Sequence, residues 1–223
     1  MTEQDLAPAG GWLVVGLPTS HTQELADALG SELVPAPTPP PAGGGFGWGF
    51  VDELAAWATV LRDGPPVPSV VVCTWMPPAP ARALADVEAD GWMDGVEWPM
   101  AVWFSAIQAA ADRCADGGSI VVVVERPAPI DSHGRAMTTA LAEAFGALVR
   151  SVALIHGPRG VRANVVATEV DTAPEVLLGL SPALATFPGA PGREVAGAVR
   201  MLLGPDAIGV TGTVVRADCG RSW

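Results

Sequence analysis

Short apolar runs and helical stripes alternate along the chain. Trp12-Leu13-Val14-Val15-Gly16 is compact and β-branched, and beyond a polar turn Leu25, Ala28 and Leu29 recur at helical spacing, so a strand, a turn and a helix are predicted. Gly30 with Ser31 closes that helix, and Glu32 to Pro35 suffices for a brief second strand. From Pro35 to Gly49 the chain reads PAPTPPPAGGGFGWG, in which proline removes ladder donors and glycine resists ordering; a loop or flap over 35–49 is expected, with Phe46, Trp48 and Phe50 pinning it to the body. A helix is predicted from Val51 to Arg62. A strand at Ser69 to Thr74 is apolar on both faces, as a central parallel strand must be.

Met100, Trp103, Phe104, Ile107 and Ala111 place one apolar face on a helix from Pro99 to Cys114, stopped by Gly117-Gly118. A second buried strand follows at Ser119 to Val124. A long helix from His133 to Ile155 carries Met137, Leu141, Phe145, Leu148 and Val152 on one side. Val161 to Ala167 is a strand, Arg193 to Leu203 a short helix, and Thr213 to Ala217 a last strand. Strands alternating with helices specify a parallel sheet covered on both faces. The expected fold is a single α/β domain over 1–223, a Rossmann-like doubly wound parallel sheet, shortened around its second helix and third strand.

Composition removes several chemistries. The 223 residues include no tyrosine and no lysine, so all 12 basic residues are arginine; a P-loop lysine and a Schiff-base lysine are both excluded. A net charge of −12 with no arginine cluster argues against a nucleic-acid partner. The acidic start MTEQDLAPAGG, without 18 uninterrupted apolar residues behind it, points to a cytoplasmic protein with no membrane partner. Cys73, Cys114 and Cys219 are odd in number and far apart, suiting buried thiols better than disulfides or a zinc site, and no metal is expected.

Several passages carry a family resemblance. Gly117-Gly118-Ser119-Ile120-Val121, Val149-Arg150-Ser151-Val152-Ala153-Leu154, and Gly157-Pro-Arg-Gly160-Val-Arg162-Ala-Asn164-Val-Val-Ala167 stand in order, followed by Glu194-Val195-Ala196, Thr211-Gly212-Thr213 and Asp218-Cys219-Gly220. From about residue 90 onward these resemble the short-chain dehydrogenases/reductases, particularly their ketoacyl-reductase-like members. With Arg150 as anchor, the resemblance puts the family's active-site tyrosine at Thr138, its lysine at Ala142, its serine at Glu125 and its helix asparagine near Pro99. A threonine hydroxyl cannot replace a phenol as proton donor, and a methyl carries no charge. The glycine-rich turn reads Gly16-Leu-Pro-Thr-Ser20-His-Thr22, keeping only the first glycine, and Ser20 and Thr22 are expected to crowd a pyrophosphate. The family's nicotinamide cofactor, NAD(P), is therefore expected to be lost.

What the resemblance implies is a catalytically inactive subunit, pairing with an active paralogue of the 3-oxoacyl or ketoreductase type through its two long helices. Interface positions are Trp103, Phe104, Ile107, Phe145, Leu148 and Val152. Alternatives are a divergent enzyme with Glu125 as acid or base, a ligand-binding protein using the former pocket, and an NAD(P)-dependent oxidoreductase with an atypical site. Glu125 is otherwise expected to pair with Arg126 or another arginine. Asp131-Ser132-His133 lacks the strained elbow of a serine hydrolase, and His21 and His156 read as surface histidines.

Overall fold

The computed structural model describes residues 11–38, 48–77, 81–129, 132–169, 184–187 and 189–221. Six strands form one sheet, β1 (Trp12–Gly16), β2 (Leu33–Pro35), β3 (Val67–Cys73), β4 (Cys114–Glu125), β5 (Arg162–Thr168) and β6 (Val214–Arg216), in the order β2-β1-β3-β4-β5-β6. Every neighbouring pair is parallel. The helices are α1 (Ser20–Leu29), α2 (Trp48–Asp63), α3 (Ala89–Trp92), α4 (Trp98–Arg113), α5 (Ala136–His156) and α6 (Ala196–Leu203). A doubly wound α/β sheet is thus what the alternating pattern specified.

Period-two alternation divides the core. Val70 and Val72 of β3 with Ile120, Val122 and Val124 of β4 meet α2, α4 and α5 on one face, while Val71, Cys73, Val121 and Val123 meet α1 and α6 on the other. Helix α5 and the 3₁₀ turn after it, Ala136–Arg159, are together long and apolar enough to cross a membrane by length and composition alone. Here α5 lies along the sheet with Leu141, Phe145, Val149 and Val152 buried.

The words that carried the resemblance prove to be scaffolding. Arg162 donates from Nη1 to the carbonyls of Leu202 and Ala207, tying β5 to the end of α6, and Arg159 donates from Nη1 to the Ala111 carbonyl at the end of α4. Asn164 clips β6 in place: Nδ2 donates to the Val210 carbonyl at 2.9 Å and Oδ1 accepts from the Thr213 amide at 3.2 Å. Gly118 has no room for a side chain, since a Cβ there would lie 2.6 Å from both Cys114 Sγ and the Pro68 carbonyl oxygen. The expected stop at Gly117-Gly118 is corrected accordingly: α4 ends at Arg113, and β4 already runs through both glycines.

Of the expected 35–49 loop, residues 39–47, including Phe46, lie outside the described part. Trp48 instead opens α2, and Phe50 packs on Trp98 with ring centroids 6.2 Å apart.

Candidate functional site

In an open parallel sheet, ligands bind beyond the carboxyl ends of the strands. There, β3 and β4 end against α5 and the segment before α4. Thr74 continues β3, its amide and its hydroxyl both donating to the Val123 carbonyl. Glu125 is the last residue of β4. Between α3 and α4 the helix widens into a π-turn, Met93–Glu97. This turn brings Gly95 so close to α5 that a Cβ would lie 2.9 Å from Met137 Sδ. Such π-turns commonly re-aim side chains at sites.

These elements enclose a cavity of about 100 Å³, and among its lining residues are Pro99, Glu125, Thr138 and Ala142. All four positions that the resemblance assigned to catalysis therefore meet in one place. Thr74, Asp94 and Gly95 also line it, with Met76, Met137, Leu141 and Phe145 supplying apolar wall. The sequence reading missed Asp94 and Gly95, because a π-turn has no period of its own to reveal it. Arg135, immediately before α5, was missed as well. Its Nη1 lies 3.7 Å from Glu125 Oε1, and both side chains are largely buried. Glu125 thus pairs with an arginine as expected, Arg135 rather than Arg126, which turns to Glu143. Glu169, just past β5, is a further buried carboxylate. Its signal was a charged residue directly after an apolar strand.

The same carboxyl edge of the sheet, where β1 ends, bears on a dinucleotide. The first turn of α1 follows β1 at the point where strand order reverses between β1 and β3, so the N-terminal end of a helix faces the crevice there. Thr19 caps the helix, its Oγ1 accepting from the Thr22 amide at 3.2 Å. Thr22 is fully buried, and its methyl fills the space over Gly16, where a Cβ would come within 2.6 Å of it. The expected crowding is thus corrected: Thr22 points into the core toward Cys73 rather than toward a phosphate, and Ser20 is exposed with a hydroxyl free to donate outward. A pyrophosphate fits this helix end.

The remaining expectations fall as follows. His21 stands edge-on to buried Trp75 at 6.4 Å. His156 Nδ1 is 3.1 Å from Arg159 Nη1. Asp131 lies outside the described residues, and Ser132 donates to the Pro129 carbonyl, with no relay to the exposed His133 in evidence. Cys73, Cys114 and Cys219 are buried thiols outside any disulfide, as expected. Among the described residues, no group of three or more His, Cys, Asp or Glu side chains could hold a metal.

The proposed interface needs revision. Trp103 and Phe145 lie in the core at 0% and 2% exposure, because the α4 and α5 stripes that carry them face the sheet. Phe104 and Ile155 are exposed instead, and with Ile107, Leu148 and Val152 they line a groove between α4 and α5.

No family model matches the sequence, and no curated protein matches it. Solved structures do match. A short-chain dehydrogenase/reductase from Serratia marcescens superimposes with a TM-score of 0.66 at 21% identity, covering 96% of this chain and 98% of its own. BdcA in complex with NADPH gives 0.66 at 19%, over 95% of this chain and 93% of that one. A blue fluorescent protein from a metagenomic library, in complex with NADPH, gives 0.62 at 24%, over 93% and 86%. The chain has the short-chain dehydrogenase/reductase fold. Two of these neighbours hold NADPH, and together with the inward turn of Thr22 this overturns the expectation that no cofactor is bound.

Proposed function

From the short-chain dehydrogenase/reductase fold and a reaction cavity without phenol or amine, we propose that this chain is a non-catalytic subunit that retains the dinucleotide crevice and pairs with an active relative. One observation carries the reading: the cavity presents Glu125, Thr138, Ala142 and Pro99 where proton transfer to a carbonyl would need an acid of tunable pKa and a cation beside it. No tyrosine or lysine exists elsewhere in the chain to take their place. Glu125 adds negative charge where a carbonyl oxygen would develop it, which works against reduction.

NAD(P) bound in the crevice would supply hydride chemistry. The first-turn amides of α1 and the Ser20 hydroxyl would hold its pyrophosphate, and Gly16 would allow close approach of the backbone. The chain's own residues then bind and orient, but do not deliver a proton. Under this reading the active partner, a ketoreductase-type relative in the cytoplasm, performs the reaction, and pairing uses the groove between α4 and α5.

The test is a three-way assay. The isolated chain is expected to bind NADPH, read by calorimetry, yet to give no turnover with ketone or ketoacyl substrates. Purified from its host, it is expected to bring down a tyrosine- and lysine-bearing relative of the same fold. Turnover by the isolated chain, lost in Glu125→Gln, would instead favour a divergent enzyme with that carboxylate as its acid or base, a reading that the placement of Glu125 on the cavity wall keeps in play.

A further inference from the structure

The charges on the cavity at the ends of β3 and β4 are already answered. Glu125 is ion-paired with Arg135 across 3.7 Å, and Asp94 is exposed, so its carboxylate stays with water. The Thr74 hydroxyl donates to the Val123 carbonyl. Of the polar side chains on the wall, this leaves the Thr138 hydroxyl for a ligand to meet. The apolar wall carries two thioethers, Met76 and Met137, and one phenyl ring, Phe145, beside Val124, Leu141 and Ala142. The Met137 sulfur packs so close to Gly95 that a Cβ there would lie 2.9 Å from it, which fixes one side of the space.

Each property of this wall removes a class of ligand. A cation would find both carboxylates paired or hydrated, and an anion would find no arginine or histidine among the described lining residues, so neither recovers its lost hydration. A neutral, mostly apolar molecule remains. Size limits it to one small ring, since an apolar cavity of about 100 Å³ has no room for a fused system. Thioether sulfurs and a phenyl ring gain more from an aromatic partner than from an aliphatic one, through sulfur–ring and edge-to-face contacts. Side-chain acceptors on the wall outnumber donors, because ionised carboxylates only accept and Thr138 carries a single O–H. A ligand that donates therefore suits the wall better than a carbonyl compound, which only accepts. A phenolic O–H donates more strongly than an aliphatic one because it is more acidic.

We propose that this cavity binds a small neutral phenol, with its ring against Met76, Met137 and Phe145 and its hydroxyl at Thr138 Oγ1. The proposal goes beyond the subunit reading and stands without it, since neither cofactor nor partner takes part.

The experiment is calorimetric titration of the isolated full chain at neutral pH with phenol, cyclohexanol and cyclohexanone, three rings of nearly equal size that carry one oxygen each. Phenol is expected to bind saturably at one site, with a dissociation constant near a millimolar or below for so few atoms. It is expected to bind roughly fivefold tighter than cyclohexanol, which lacks the aromatic contacts, and roughly tenfold tighter than cyclohexanone, which also cannot donate. Thr138→Val removes the hydroxyl and keeps the shape; it is expected to weaken phenol roughly five- to tenfold while leaving benzene, which uses no hydrogen bond, unchanged. Ala142→Leu fills the cavity and is expected to abolish binding of all three rings. Should that variant fail to fold, Thr138→Val, at a partly exposed position near the start of α5, carries the test alone. The proposal is overturned by the absence of saturable phenol binding, by cyclohexanone binding as tightly as phenol, or by phenol affinity unchanged in Thr138→Val or in folded Ala142→Leu. Failure of these titrations leaves the NADPH, turnover and pull-down tests unaffected, so the two readings fail separately.

Discussion

At the scale of single residues, the absence of lysine and tyrosine has a measurable consequence. In most proteins the region from pH 9 to 11 is crowded with titrating ammonium and phenol groups, but here the side chains that can titrate are three thiols. Burial pushes the Cys114 thiol up to about 11, with the nearby Arg159 guanidinium opposing the shift. The folded state therefore holds this proton more tightly than the unfolded chain. Stability from it is complete below pH 9 and falls as pH rises toward 11, by on the order of 2 kcal/mol. Denaturant midpoints, followed by tryptophan fluorescence across that window, should fall for the native sequence and fall less for Cys114→Ala. A level profile in both would mean that Cys114 ionises as freely folded as unfolded. The same residue scale shows what the sequence made legible. Thr138 and Ala142 could be placed by counting back along α5 from Arg150, and they line one cavity with Glu125 at the end of β4 and Pro99 in the first turn of α4. Arg135 and Asp94 could not, since their positions depend on how two irregular segments turn.

Regular elements were legible wherever period and burial agreed. β3 and β4, apolar on both faces, were read as central strands and stand as third and fourth in the sheet order. Element ends were harder. The expected helix from His133 begins at Ala136, because Gly134 sits at φ +70° and interrupts the helical backbone. The π-turn at Met93–Glu97 left no mark on the apolar pattern, although it shapes the cavity. At α1, by contrast, the turn chemistry can be tested directly. Thr19 satisfies an amide at the helix start and its hydroxyl also meets Thr22 Oγ1 at 2.9 Å. Thr19→Ala should cost about 1 kcal/mol in chemical denaturation, and Thr19→Ser should restore most of it. Equal stability of the alanine variant would show that water caps the helix as well as threonine does.

At the scale of the molecule, the architecture is held where arginine and asparagine tie helices to strands. Arg159, Arg162 and Asn164 hold carbonyls at element ends, a role independent of any reaction. This is why the fold could be read from words in the sequence while the activity could not. The outward face of α4 and α5 gives the corresponding prediction. Phe104 is 48% exposed and Ile155 68%, on either side of a groove floored by Ile107, Leu148 and Val152. Large apolar side chains flanking a groove are what association surfaces use, and charge at their centre is poorly tolerated. Under the subunit reading, Phe104→Glu with Ile155→Glu should weaken assembly by roughly a hundredfold or more, each residue acting as an anchor. Light scattering coupled to gel filtration should then show a monomer, with helix content and NADPH binding unchanged because both side chains are exposed and lie on α4 and α5, across the sheet from α1. An assembly that survives both charges would place the interface on another face and leave the groove to some other role.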